Sequence, residues 1–186
     1  MTSNALMNNY GVRKITLCKG DGSWVWDING KRYLDAVSGI AVCGLGHAHP
    51  AITEALFNQA QKIVHCSNLY NIQAQESLAE KLKQISGMEK LFFSNSGAEA
   101  NEAAIKLARL YGSEKKISNP TIIVMENSFH GRTMATISAT GSDSYQAGFA
   151  PLLDGFLRAP YNNLSVIEEI AKKNKDIVAI LVEPIQ

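Results

Sequence analysis

Three cysteines in 186 residues, Cys18, Cys43 and Cys66, are too few and too scattered for a disulfide framework, and their number is odd. They also fall outside any metal-ligand spacing, so reduced thiols are expected. No apolar run approaches the length of a membrane span. The opening residues Met1-Thr2-Ser3-Asn4-Ala5 lack the basic and then apolar regions of a secretory signal, so the expected location is cytoplasmic. Charge of one sign is missing too. Eighteen Lys and Arg against 17 Asp and Glu leave a formal net charge of +1, which offers neither nucleic acid nor an anionic membrane an electrostatic footprint. Nucleotide motifs are absent. There is no Gly-x-x-x-x-Gly-Lys-Ser/Thr, and Gly44-Leu45-Gly46 has no third glycine of the dinucleotide fingerprint. His47, His49 and His65 make a poor zinc set, because two ligands spaced by two along a loop are not preorganised and no acidic or Cys cluster stands beside them. The segment His47–Pro50 reads instead as a turn.

What is present is material for a core: 46% of residues are apolar and 19% charged, enough for one generous domain or one and a half. Trp24–Ile28 alternates, Asn29-Gly30 is a type I′ turn pair, and Lys31–Ala36 answers it, which predicts a hairpin over 20–36. Residues 38–50 read as a Gly- and His-rich loop entering a helix at Pro50. Helices are expected over Ala51–Val64, with Ile52, Leu56, Ala60 and Ile63 on one face, and over Gln73–Ile85. A strand at 91–95, a helix at 97–111 and a buried strand Thr121–Met125 follow. A short helix should start near Gly131–Thr133, another should cover 163–174, and Asp176–Val182 should be a further strand. Strands separated by helices predict an α/β fold with a parallel, doubly wound sheet. The run Ile177–Val182 reads as an interior strand with no later helix to cover it, so the chain is expected to be the front portion of a longer protein.

The segment Leu91–Glu102 carries the most chemistry. A short apolar run turns through Ser96 and Gly97 into a helix, and Glu99 completes a Ser-x-x-Glu capping box. Free amides and the positive end of the helix dipole converge there, which would suit an anion such as phosphate, although an ordinary capped helix reads the same way. After the strand at 121–125 comes Glu126-Asn127-Ser128-Phe129-His130-Gly131-Arg132-Thr133. Phe129 could be core, or it could lie on a flat aromatic ring. Arg132, at a helix start, faces an unfavourable dipole, which favours a carboxylate partner. Glu183-Pro184 brings a third polar group to the same sheet edge.

Five segments, Gly20–Asp27, Gly46–Pro50, Ser94–Glu102, Ser128–Thr133 and Val182–Gln186, together resemble the class III (omega) aminotransferases in order and spacing. The resemblance implies fold type I, the α/β fold shared with aspartate aminotransferase, and pyridoxal 5′-phosphate as cofactor. Within the family, Ser38–Val42, Leu45-Gly46-His47 and Ser67–Tyr70 are most similar to the acetylornithine branch, while Ile40 stands where ornithine enzymes tend to carry Tyr. Ornithine, succinylornithine and 4-aminobutyrate remain alternative donors, and a non-catalytic phosphate-binding or dimerisation fragment remains the alternative role. The resemblance assigns Ser96, Gly97 and Ala98 to the cofactor phosphate, Phe129 to the cofactor ring, with His130 beside it, and Arg132 to a substrate carboxylate. It makes Glu183 a switch carboxylate that releases a second Arg for 2-oxoglutarate. It places residues 1–45 in a small domain and 46–186 in the first part of the large cofactor-binding domain. It implies a homodimer, with Ser67–Tyr70 reaching the partner. The Schiff-base lysine is expected beyond residue 186, so no catalytic residue is assigned within the chain, which taken alone should be inactive.

Overall fold

The computed structural model describes residues 5–185. Met1–Asn4 of the opening and Gln186 of the last motif lie outside them. The chain divides after residue 73 into two compact units. No helix among the described residues is long and apolar enough to cross a membrane.

In the first unit, β1 (Leu17–Asp21), β2 (Trp24–Asp27) and β3 (Arg32–Leu34) form an antiparallel sheet in that order, with Trp24 opposite Leu34 and Val25 opposite Tyr33. The expected hairpin is present but its turn is not type I′. The Gly30 amide donates to the Asp27 carbonyl at 3.0 Å, and Gly30, at φ 81°, supplies the left-handed residue. Asp27 explains the difference. Its Oδ1 accepts from the amides of Asn29 (2.9 Å) and Lys31 (3.0 Å), and its Oδ2 accepts from the Tyr33 hydroxyl (2.8 Å). The hydroxyl, then the two amides, hold the Asp27 carboxyl below its usual range against the opposing pull of burial.

The loop that follows is pinned by Asp35 and His47. Asp35 Oδ1 accepts from the amides of Val37 and Ser38, where α1 (Ser38–Ala41) makes a single turn with φ between 50° and 64°. Gly22 and His47 exchange backbone hydrogen bonds, and His47 Nε2 meets Asp35 Oδ2 at 2.6 Å. Helix α2 (Pro50–Ala60) starts at the predicted proline. It stops short of Val64, where the Lys62 amide tightens onto the Gln59 carbonyl three residues earlier. Ile52 and Leu56 of its apolar stripe are exposed, as is Ile63 beyond its end.

The second unit contains α3 (Gln73–Ser86), α4 (Gly97–Glu114), β4 (Thr121–Met125), α5 (Met134–Ala139), α6 (Asp143–Gln146), β5 (Phe156–Ala159), α7 (Leu164–Lys173) and β6 (Ile177–Leu181). Strand order is β5-β4-β6, and both pairings are parallel. Central β4 is buried along its whole length, as a β-branched run covered on both faces should be. Ile122 and Val124 pack with Ile105 and Ala108 of α4 and Ala139 of α5. Ile123 and Met125 point the other way, onto Val166, Ile167 and Ile170 of α7.

Three expectations change. Residues 91–95 form no strand, since no ladder partner meets them among the described residues; their burial merely alternates, with Phe92 outward. Among the described residues, strand β6 stands at the edge of the sheet with Ile180 half exposed, where the apolar run reads as an interior strand. Strand β5 and helix α6 have no counterpart in the sequence pattern, because Arg158 interrupts the apolar run of β5. The Arg158 side chain serves another element. Its Nη2 donates to the carbonyls of Ser138 and Thr140, both at 3.1 Å, at the end of α5.

Ile123, with no exposed surface, and Ile52, at 44% exposed, separate buried from exposed apolar positions. Ile123→Ala should cost about 2–5 kcal/mol in urea unfolding. Ile52→Ala should stay within about 0.5 kcal/mol of the parent chain.

Candidate functional site

Helix α4 runs antiparallel to the strands it covers. Near its end, a Cβ on Gly112 would come within 2.6 Å of Pro120, which precedes β4. At its start, a Cβ on Gly131, beyond the carboxyl end of β4, would come within 2.9 Å of the Ala98 Cβ. The first turn of α4 therefore lies at the carboxyl edge of the parallel sheet, where open α/β sheets bind ligands.

That first turn is built as the spacing predicts, with one difference. Ser96 is extended (φ −155°, ψ 161°), and its hydroxyl accepts from the Glu99 amide at 3.2 Å. The return bond of the capping box is shifted by one residue. Glu99 Oε2 accepts from the backbone amide and side-chain amide of Asn95, at 2.8 and 2.9 Å, instead of from the Ser96 amide. The amides of Gly97 and Ala98 are the first of the helix and have no intrahelical acceptor. Open space surrounds the position of a Gly97 Cβ.

The loop after β4 stands against this turn. Asn127 takes a left-handed conformation (φ 58°) and the Ser128 hydroxyl donates to the Met125 carbonyl at 2.7 Å, which turns the chain sharply off the strand. Gly131, at φ 135°, allows the close approach to Ala98. Phe129 is 46% exposed and is not core; its ring meets the Tyr145 ring edge-on at 5.3 Å. Arg132 is exposed, makes no ion pair among the described residues, and lies with its guanidinium 5.8 Å from the Tyr145 ring centre. Glu183 follows β6 at the same edge, exposed, and Tyr161 reaches across to donate to the Pro184 carbonyl at 2.9 Å.

His130 is the buried member, 4% exposed, and its Nε2 has no partner among the described residues. Burial lowers its imidazole pKa, and the negative charge of Glu183 only partly opposes this. Its backbone is fixed from both sides: the amide donates to Thr140 Oγ1 (3.1 Å) and the carbonyl accepts from Asn101 Nδ2 (2.8 Å). Thr133, the N-cap of α5, donates its hydroxyl to Glu102 Oε1, and its amide donates to Thr136 Oγ1 at 3.0 Å.

Ser96, Gly97, Ala98, Phe129, Arg132 and Glu183 thus gather at the carboxyl edge of one sheet. Sequence reasoning missed Asn101, Glu102, Thr133 and Tyr145. For the first two a signal existed. Ala98, Asn101, Glu102 and Ile105 follow helical spacing on the face that buries Ile105, so two polar groups interrupt a core stripe. An open cavity of about 530 Å³ lies elsewhere, in the first unit, lined by Leu45, His47, His49 and Ile52. It holds none of the predicted site residues and no convergent charges, so the sheet edge is the stronger candidate.

Residues 6–186 match the family model described as Aminotransferase class-III. An acetylornithine aminotransferase from Nitrosomonas europaea is 59% identical over 181 residues, covering 97% of this chain and 46% of that one. The crystal structure of the acetylornithine aminotransferase from Elizabethkingia anophelis is 35% identical with a TM-score of 0.78, covering 97% of this chain and 42% of that chain. An ornithine aminotransferase from Toxoplasma gondii, its active site partly occupied by pyridoxal phosphate, is 30% identical with a TM-score of 0.89, covering 98% and 43%. The chain spans about half the length of the curated relatives it matches.

Because the His130 pKa is depressed on folding, the unfolded chain binds the proton more readily. The second unit should be fully stable above the ordinary imidazole value of about 6.5 and lose stability as pH falls below it toward the folded value. Urea midpoints from pH 8 to 5 check this: the decline should flatten in His130→Gln, and an unchanged slope would remove His130 from the account.

Proposed function

Since the chain belongs to the class III aminotransferases, which are pyridoxal-phosphate-dependent, we propose that it forms the phosphate- and ring-binding part of an acetylornithine aminotransferase. The transamination would move an amino group from N2-acetylornithine to 2-oxoglutarate. The observation that carries this reading is the contact of Gly131 with Ala98, which sets an aromatic face and an unpaired guanidinium beside free helix-terminal amides.

The residues present fit the cofactor. Its phosphate would be held by the Gly97 and Ala98 amides with the Ser96 hydroxyl beside them, at the positive end of α4. Gly97 leaves the approach open. The exposed face of Phe129 would stack on the ring, and Tyr145, edge-on behind it, limits how far Phe129 can turn. When bound, the cofactor supplies the electron sink that makes amino-group transfer accessible. Arg132 would hold a substrate carboxylate through its planar fork, and being unpaired it need break no ion pair to do so. Glu183 would serve as the switch carboxylate, pairing with a second Arg outside these residues. His130 is buried within the loop, and burial favours its neutral form.

No catalytic residue is assigned within these residues, and the lysine that would anchor the cofactor covalently is expected outside them. Lys106 is exposed on α4, more than two turns from Gly97. A cytoplasmic homodimer with Ser67–Tyr70 directed to the partner, and a division at residue 45 between small-domain and cofactor-binding segments, complete the proposal.

The test uses the complete protein loaded with pyridoxal phosphate and supplied with acetylornithine and 2-oxoglutarate. Glutamate should form faster than with ornithine or 4-aminobutyrate as donor. Arg132→Ala should lower kcat/KM about 10- to 100-fold, the worth of a charged hydrogen-bonded pair, while the bound-cofactor absorbance persists. Preference for another donor would overturn the substrate assignment, and failure to take up the cofactor would overturn the site.

A further inference from the structure

Phe129–Thr133 has no regular structure of its own, yet the proposed site needs it held at a fixed distance from the first turn of α4. Hydrogen bonds from two sides hold it. Those from the His130 amide to Thr140 Oγ1 and between Thr133 and Thr136 or Ile137 go to α5 and the residue that ends it, directly downstream. They would travel with the loop if it moved. The contact of Gly131 with Ala98 permits closeness but does not enforce it, because it is van der Waals packing.

Among the described residues, two hydrogen bonds cross from α4 to the loop. Asn101 Nδ2 donates to the His130 carbonyl at 2.8 Å, and Glu102 Oε1 accepts from the Thr133 hydroxyl. Both donor and acceptor sit on the second turn of α4, on the face that buries Ile105. We propose that Asn101 and Glu102 are positioning residues, which clamp the Phe129–Thr133 loop at the height where Phe129 and Arg132 face the anion cradle of the first turn. This deepens the reading given under Proposed function and rests on it.

The two clamps divide the work. Asn101 fixes the peptide one residue after Phe129, so it sets where the aromatic face lies. Glu102 grips Thr133, one residue after Arg132. Its carboxylate is engaged there by a hydroxyl, which leaves the neighbouring guanidinium unpaired for a ligand. The same helix thereby carries the amides for one end of a ligand and the struts for the residues that meet its other parts.

The test compares two ligands: inorganic phosphate, which needs only the cradle, and pyridoxine 5′-phosphate, which adds the ring but has no aldehyde for covalent capture. Asn101→Ala is neutral and favours helix, so α4 should persist. It should weaken pyridoxine 5′-phosphate about tenfold, the worth of one hydrogen bond, with phosphate affinity unchanged. Amides of Phe129, Gly131 and Arg132 should exchange with deuterium about tenfold faster while those of β4 keep their protection. Glu102→Gln keeps an acceptor for Thr133 and should hold the ratio of the two affinities within about twofold. Equal weakening of both ligands in Asn101→Ala, or loop exchange at the parental rate, would overturn the clamp. If the parent protein binds phosphate but gains nothing from the ring, the stacking role of Phe129 fails, and the exchange rates alone decide the clamp.

Discussion

Helix α4 lies on the sheet at a depth that two glycines permit, Gly112 near its end and Gly131 facing its first turn. Near the amino edge, Gly112 meets Pro120 and Val178, and at the carboxyl edge Gly131 meets Ala98, so closely that any side chain would force the elements apart. Between these contacts Ile105 and Ala108 pack on Ile122 and Val124 of the buried central strand. Burying such aliphatic side chains contributes roughly 1.5–3 kcal/mol each, enough to hold the helix in place. Its direction, antiparallel to the strands, then decides that the unsatisfied amides of its first turn open at the ligand-binding edge. The rest of the proposed site depends on that seating.

Local electrostatics follow from the same arrangement. The unsatisfied amides of the first turn of α4 carry the positive end of the helix dipole, and the Glu99 carboxylate is turned back onto the two amide groups of Asn95. Glu102 is similarly occupied by Thr133, and Arg132 is left without a counter-ion among the described residues. A ligand that carries a phosphate or a carboxylate suits such an edge. His130 lies underneath, neutral through burial, so no second positive charge competes there.

Much of this was legible in the sequence, for identifiable reasons. The β-branched run Thr121–Met125 could only be a covered strand, and Ser96 with Glu99 announced the start of α4 to the residue. Features that needed tertiary partners were less visible. Residues 91–95 have strand character but find no ladder partner among the described residues. Strand β5 was hidden because Arg158 sits in it to satisfy carbonyls of another element. The turn at Asn29-Gly30 yielded to the Asp27 carboxylate, which captures two amides that a type I′ turn would orient differently. Ser96, Gly97, Ala98, Phe129, Arg132 and Glu183, which the motifs single out, all lie at the carboxyl edge of the sheet. Asn101 and Glu102 were passed over, since their bonds span about thirty residues and appear in sequence only as polar breaks in an apolar stripe.

Every role proposed for the sheet edge depends on the first turn of α4 binding an anion. An ¹⁵N-labelled sample titrated with inorganic phosphate measures this residue by residue. The predicted result is that the amide signals of Gly97 and Ala98 move most, downfield and saturably, with Ser96 beside them and the Gly44–His49 loop unaffected. Shifts centred on that loop, or Gly97 and Ala98 signals that stay in place while phosphate binds, would contradict it.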